Sequence, residues 1–343
     1  MPEFGTLKEV GPGVFWVRLP LPFALDHINV WLLRDEIDGQ AGWTVIDTGV
    51  AREEQKALWE RIFAEQLEGL PIVRVLVTHM HPDHVGLAGW HCERWQAPLW
   101  MSMTDYMVAC MWLQPASASN PLLSQVGQAT AAHFQRNGLA DAALLQEIRA
   151  RDSYYPSLVS SLPPRFHRIL HGDKIRIGAH EWEAIVGYGH APEHVSLWCP
   201  ELNICISGDM LLPRISTNVS VQAYEPDANP LTLYLRSLER YAPIDADALV
   251  LPSHGRPFIG IHERIRQQHE HHAARLQETL EACAQEDGLS AAELVPIMFR
   301  RPLDAHQMNF AMGEAIAHLH ALYYEGTLQR RLVDGVYRFY TVS

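Results

Sequence analysis

The chain is short of several features that would place it in a class outright. Its five cysteines (Cys92, Cys110, Cys199, Cys205 and Cys283) are odd in number and form no close pair. That suggests neither a disulfide framework nor a thiolate zinc cluster, and it fits a reducing compartment. No apolar run approaches the roughly 18–20 residues that span a bilayer. The N-terminal stretch MPEFGTLKEVGPGVFWVRL lacks the basic start, apolar segment and small-residue cleavage site of a secretory signal, so a cytoplasmic location is expected. No Gly-rich loop with Lys follows a strand, and the glycines at 11, 13, 187 and 189 read as turn formers. A Gly-x-Ser-x-Gly nucleophile elbow is also absent. Positive charge is scarce: 27 Lys and Arg against 40 Asp and Glu give −13, which repels nucleic-acid phosphates and anionic membranes.

What is present is an ordinary globular composition, 48% hydrophobic and 20% charged, over 343 residues, enough for roughly two domains. Against that background 19 histidines are an excess, and metal binding becomes the first question.

The chain opens with three expected strands, Gly13–Leu19, His27–Leu33 and Gly42–Asp47, separated by Pro, Asp and Gly turn signals. A helix over Glu53–Leu67, a buried strand over Ile72–Val77, a helix over Val85–Trp95 and a strand over Ala97–Met101 follow, so a layered αβ architecture is expected. From Met103 to about Leu162 the pattern is helical, punctuated by Pro115, Pro121, Gly138 and Pro156, and reads as an insert. Short strands return over Ile169–Ser207 and Ala248–Leu251, with helices near Leu231–Tyr241 and Ile261–Glu286. The last 55 residues read as helix Ala291–Phe299, helix His306–Glu325 and a hairpin of Thr327–Leu332 with Val336–Thr341 across Asp334-Gly335. That order suggests a small winged-helix-like module over 289–343, after a catalytic domain over 1–288.

The strongest motif is Thr78-His79-Met80-His81-Pro82-Asp83-His84, where a buried strand turns into a helix. Neutral imidazole is the commonest ligand for zinc-like ions, and the carboxylate adds hard oxygen character. His79 and His81, two apart on an extended loop, can point the same way, while Asp83 and His84 diverge enough to reach a second ion. Three further donors follow short apolar strands: His190 in GYGHAPEH, Asp209 in ISGDML and His254 in LPSHGRP. A loop held by a rigid strand end is where a reachable site can be fixed.

The run His-x-His-x-Asp-His, followed in order by Gly-His-x-Pro, Ser-Gly-Asp and Ser-His-Gly, resembles the metallo-β-lactamase fold superfamily, in its dinuclear, glyoxalase II-like branch. The match covers roughly residues 10–260 and includes Asp47-Thr48-Gly49. The resemblance implies a four-layer αβ/βα sandwich with two divalent ions at one edge of the paired sheets. By position His79, His81 and His190 would hold one ion, and Asp83, His84 and His254 the other, with Asp209 bridging. His194 would be a neighbour of the ligands. The tail is similar to the winged-helix tail of the β-lactamase-like protein 2 group, some of whose members cleave RNA. Here, however, Pro302–Gln329 contains no Lys or Arg, so a packing or dimerisation role is expected in place of nucleic-acid reading.

The expected chemistry is hydrolysis of a thioester, lactone or other acyl ester by a metal-bridging hydroxide, with Asp83 and Asp209 as catalytic carboxylates. Zinc is the default ion for this ligand set, with manganese or iron as alternatives. Asp47, Ser207 and Ser253 are candidates for orienting the ligand histidines. The substrate is expected to be a small, partly apolar molecule. Met101, Met103, Met107, Met111 and Trp112 lead into the insert, and Tyr154, Tyr155 and His27 are candidates for lining the cleft. His269, His271 and His272 read as a solvated helix face, and Cys92 and Cys110 as buried small residues. The competing readings are a phosphodiesterase or ribonuclease on the same dinuclear site, a mononuclear-iron persulfide dioxygenase-like oxidoreductase, and a non-catalytic binding protein. A flavodiiron enzyme is disfavoured because His81 stands where a carboxylate is usual and no flavin domain follows.

Overall fold

The computed structural model describes residues 1–23, 25–114, 126–285 and 287–342. The expected prolines 115 and 121 of the insert, and the expected helix end at Glu286, lie outside the described residues. The chain divides into two compact units: Met1–Gln114 with Tyr155–Thr217 and Ser237–Ile265, and Pro115–Tyr154 with Asn218–Arg236 and Arg266–Ser343.

The first unit is built on two sheets. Strands β1 (Lys8–Gly11), β2 (Val14–Pro20), β3 (His27–Ile37), β4 (Gln40–Ile46), β5 (Ile72–Leu76), β6 (Leu99–Met101) and β7 (His167–Arg168) lie side by side in chain order. The first four pair antiparallel and the remainder parallel. The second sheet runs β12 (Leu249–Pro252), β11 (Ile204–Gly208), β10 (His194–Cys199), β9 (His180–Gly187), β8 (Lys174–Ile177), with β11 and β12 parallel and the other pairs antiparallel. Trp16, Trp31, Ile46 and Leu76 from the first sheet and Trp182, Val195, Leu197, Ile206 and Leu251 from the second form one buried cluster, the filling of a sandwich. Helices α1 (Glu53–Glu65), α2 (Pro82–Val85), α3 (Ala88–Trp95) and α4 (Met103–Trp112) belong to this unit. Trp59 of α1 stacks on Phe63, meets His91 of α3 edge-on and donates its indole N–H to the Thr48 carbonyl, which binds the helical layer to the strand-end loop after β4.

Strand β1 has no counterpart among the expected elements, because four half-exposed residues carry no clear alternation. The other expected strands of this unit form within a few residues of their expected limits.

The second unit contains α5 (Val126–Arg136), α6 (Ala142–Arg149), most of α7 (Pro230–Leu238) and of α8 (Ile261–Ala282), then α9 (Ala291–Met298), α10 (Ala305–Glu325) and the hairpin of β13 (Leu328–Val333) with β14 (Val336–Thr341). Reciprocal capping boxes start α9 at Ser290 and α10 at Asp304, and Gly326 ends α10 in the left-handed region at φ 89°. From Ala311 to Leu322 almost every residue of α10 is buried, His318 and His320 included. Burial accounts for its lack of Lys and Arg: α10 is a core helix of its unit. The expectation of a solvated histidine face on α8 is corrected in part. His272 is fully buried against His318 and the Tyr234 ring, while His269 and His271 stay partly exposed. Cys110 is only partly buried, whereas Cys92 is buried as expected.

Among the described residues no helix is long and apolar enough to cross a membrane.

Candidate metal centre

Five strands of the sandwich end at one edge of the first unit, and each end carries part of the site. Parallel β4 and β5 deliver Asp47 and the His79–His84 loop. Strands β9, β11 and β12 share one direction and deliver His190, Asp209 and His254. The carboxyl ends of like-directed strands are where α/β sheets place ligands, since the loops there diverge from a rigid frame.

All seven expected donors meet. His79 Nε2, His81 Nδ1 and His190 Nε2 form a triangle with sides of 2.8, 3.1 and 3.2 Å. Three ring nitrogens at this spacing have too few protons to satisfy one another, and the arrangement matches ligands around one small cation. Beside it, Asp83 Oδ2 lies 3.6 Å from His84 Nε2 and 3.4 Å from His254 Nε2. Asp209 stands between the groups, with Oδ2 3.4 Å from His190 Nε2 and 3.5 Å from His84 Nε2, and Oδ1 3.5 Å from His254 Nε2. His84 Nε2 and Asp209 Oδ1 are buried with no hydrogen-bond partner among the described residues. Buried polar atoms left in that state mark a position that a cation satisfies. The donor set is nitrogen and carboxylate oxygen with no thiolate, which suits a divalent ion with positions left for water and substrate.

The surrounding residues fix which nitrogen each ring presents. Asp47 adopts a left-handed backbone at φ 61°, tolerable for Asp but costly for most residues. Its Oδ1 accepts from the Thr78 N–H at 2.8 Å and its Oδ2 from His84 Nδ1 at 2.8 Å. The Thr78 hydroxyl donates to Asp47 Oδ2 at 2.8 Å and lies 3.0 Å from His79 Nδ1, which donates to it. One carboxylate thus turns Nε2 of both His79 and His84 inward. His254 donates from Nδ1 to the His27 carbonyl at 2.8 Å. His194 Nε2 accepts the Asp209 backbone N–H at 3.0 Å, so this neighbour steadies the bridging carboxylate. Gly208 permits that approach: at φ 56°, an added Cβ would stand 2.3 Å from His194 Nε2. Ser207 donates to the Leu211 carbonyl and Ser253 Oγ has no hydrogen-bond partner among the described residues, so neither serine orients a ligand.

One positioning residue escaped sequence reasoning and a second was expected in another role. Asp105, on α4, is fully buried; its Oδ1 accepts from Met80 N–H at 2.9 Å, and its Oδ2 from Glu193 N–H at 2.6 Å and the Ser102 hydroxyl at 3.2 Å. It therefore joins the His79–His84 loop to the loop that carries His190. Tyr155, expected in the cleft wall, is instead buried and donates its hydroxyl to the Met80 carbonyl at 2.7 Å. Both polar groups of the peptide residue between His79 and His81 are thus clamped. No sequence pattern marks an acid 25 residues downstream as the partner; an Asp inside an otherwise apolar helix start was the one available signal.

Charge divides the site. Burial, with neighbouring imidazoles, pushes His79 well below its ordinary value and His81 down to about 3, so both are neutral and ready to ligate. At the second group burial acts the same way on the histidines, but the carboxylates outweigh it: Asp83, Asp47 and Asp209 raise His84 well above 6.5, and Asp209 with Asp83 raises His254 to about 10. The same attraction overcomes burial at Asp83, held down at about 2, and keeps Asp209 well below the usual carboxylate range. Burial lifts the Asp105 carboxyl to about 6 against its hydrogen bonds.

A cavity of about 680 Å³ adjoins this edge, lined by both His27 and His254. His27, expected in the cleft wall, is therefore found there.

Seven convergent nitrogen and carboxylate donors at the edge of a two-sheet sandwich define a metallo-hydrolase. The chain belongs to the metallo-beta-lactamase superfamily, whose model matches residues 24–254, and it carries the metallo-beta-lactamase-like C-terminal domain over residues 276–342. It is similar to a probable metallo-hydrolase, YqjP, of Bacillus subtilis (strain 168), at 24% identity over 90% of this chain and 92% of that one. Among solved structures it resembles a beta-lactamase domain protein from Burkholderia ambifaria, at 53% identity over 100% of this chain and 96% of that one, with a TM-score of 0.92. It also resembles a metallo-beta-lactamase family protein, TTHA1429, from Thermus thermophilus, at 26% identity over 96% and 99% of the two chains, with a TM-score of 0.77.

Proposed function

We propose that this metallo-hydrolase cleaves an ester-like bond, a thioester, lactone or other acyl ester, in a small, partly apolar substrate, and that it does so with two divalent ions, zinc by default. The observation that carries the reading is the pair of donor groups sharing Asp209, beside a cavity with Leu25, Ile215, Pro257 and Phe258 in its walls.

His79, His81 and His190 would hold one ion and Asp83, His84 and His254 the other, with Asp209 common to both. Bound divalent ions polarise a carbonyl oxygen and make water nucleophilic near neutral pH. The chain's own part is placement and proton handling. Asp47 and Thr78 keep the His79 and His84 rings turned inward, and His194 steadies Asp209. Asp83, at the second donor group 3.4 Å from His254 Nε2, is placed to pass a proton to the leaving group.

The test pairs metal analysis of the purified protein with a screen of acyl-thioester, lactone, β-lactam and phosphodiester substrates, and with oxygen uptake. We expect about two ions per chain and turnover of an acyl substrate. Preferred cleavage of a phosphodiester, or oxygen consumption with a single iron, would replace the proposal with one of the competing readings.

A further inference from the structure

The cavity beside the second donor group carries a charge pattern that ester hydrolysis alone does not require. Its walls come from the segments around residues 25–27, 213–215 and 254–258, all in the first unit. Most of them are apolar, yet Arg214 and Arg256 also line it, and no Asp or Glu does. Both guanidinium groups are on exposed residues, and neither is engaged by a carboxylate among the described residues. In a chain with 40 acids and 27 basic residues, two unpaired arginines on one apolar cavity, with the carboxylates excluded, form a local reversal of the overall charge. Its size lies in the roughly 300–1,000 Å³ range of small-molecule sites, and His254 places one wall at the metal centre.

We propose that this cavity is the subsite for an anionic group on the substrate, so that the enzyme acts on acyl compounds whose apolar body ends in a carboxylate or phosphate held by Arg214 and Arg256. The inference rests on the hydrolase reading for the reacting end only; the anion is recognised and no bond to it changes. Leu25, Ile215, Pro257 and Phe258 cover the apolar body, and the planar guanidinium forks match a carboxylate or phosphate in two-point contact.

Binding to the metal-loaded protein, followed by calorimetry with hexanoate, hexyl phosphate and hexanamide, tests this directly. The wild-type protein is expected to bind one of the two anions at least about tenfold more tightly than hexanamide, and the tighter one identifies the anion. Arg214→Ala and Arg256→Ala should each weaken that anion by roughly three- to tenfold, as befits exposed charge-assisted contacts, and the double variant should bind anion and amide alike. Arg300→Ala, a charge change on the exposed surface of the second unit, should leave all three affinities unaltered. Equal binding of the amide by the wild-type protein overturns the proposal. So does an anion preference that survives in the double variant, which would assign the anion to the metal ions, and so does an equal loss in Arg300→Ala, which would reduce the effect to net charge. Turnover of a neutral ester such as 4-nitrophenyl butyrate by the wild-type protein reports on the hydrolase reading separately.

Discussion

Two groups of buried histidines, one in each unit, share depth and differ in what they face. At the strand ends of the first unit, five rings converge on one another and on Asp83 and Asp209, and the carboxylates favour the protonated forms of His84 and His254. In the second unit His272 lies 3.3 Å from His318 and against the Tyr234 ring, while His318 and His320 give their Nδ1 protons to the carbonyls of Glu314 and Ala228. Burial there is the main influence and drives His272 to about 3 and His318 to about 4, leaving neutral rings that act as polar core. Depth and titration alone do not separate the groups, since burial holds His81 and His272 alike at about 3; what separates them is that the rings of the first unit converge on Asp83 and Asp209, while His318 and His320 are engaged by backbone carbonyls.

The contrast breaks if the two groups respond alike to substitution. His81→Ala or Asp209→Ala should lower hydrolysis by roughly 10³-fold or more and reduce bound metal, in protein shown to be folded by circular dichroism; full activity and metal content would remove the proposed mechanism. His318→Ala should leave metal content unchanged and cost about 1–3 kcal/mol of stability in a thermal melt. Asp47→Asn keeps a residue type that tolerates the left-handed backbone but loses the acceptor for His84, and should weaken metal binding by about 10–100-fold in a chelator competition. Asp105→Asn leaves Met80 and Glu193 facing an amide and should reduce turnover by roughly tenfold with metal still bound.

The smallest effect is also the most specific. His254 is raised to about 10, above its ordinary 6.5, so its proton is present at neutral pH and must leave when a metal binds. Apparent affinity of the second group should therefore rise with pH up to about 10, and weakly buffered metal-free protein should release about two protons per chain on saturation, from His84 and His254. A pH-independent affinity with no proton release would show that these rings are neutral beforehand.

The ligand loop was legible because four of its donors sit within six residues, and the remaining three each follow a short apolar strand. Asp47 was legible for the same reason, as a strand-end acid. Asp105 and Tyr155 were not: their partners are the backbone groups of Met80, and a backbone group leaves no trace in a residue pattern. His272 was hidden by its polar neighbours in RQQHEHHAAR, since only a helix phase set by tertiary packing separates its buried side from the exposed one. That the stretch over 302–329 carries no Lys or Arg could be read directly, but its physical setting, the burial of α10 from Ala311 to Leu322, emerged only from the fold.

One consequence follows from the carboxylates gathered at the strand ends. Asp47, Asp83 and Asp209 contribute a formal −3 to the edge of the sandwich, which protonated His84 and His254 offset to −1; exchanging those two protons for two divalent ions would leave +1. Loading would thus reverse the sign of the field felt by an approaching molecule. An anion would be repelled from the empty edge and drawn to the filled one, so that metal supply itself would act as the gate for charged substrates.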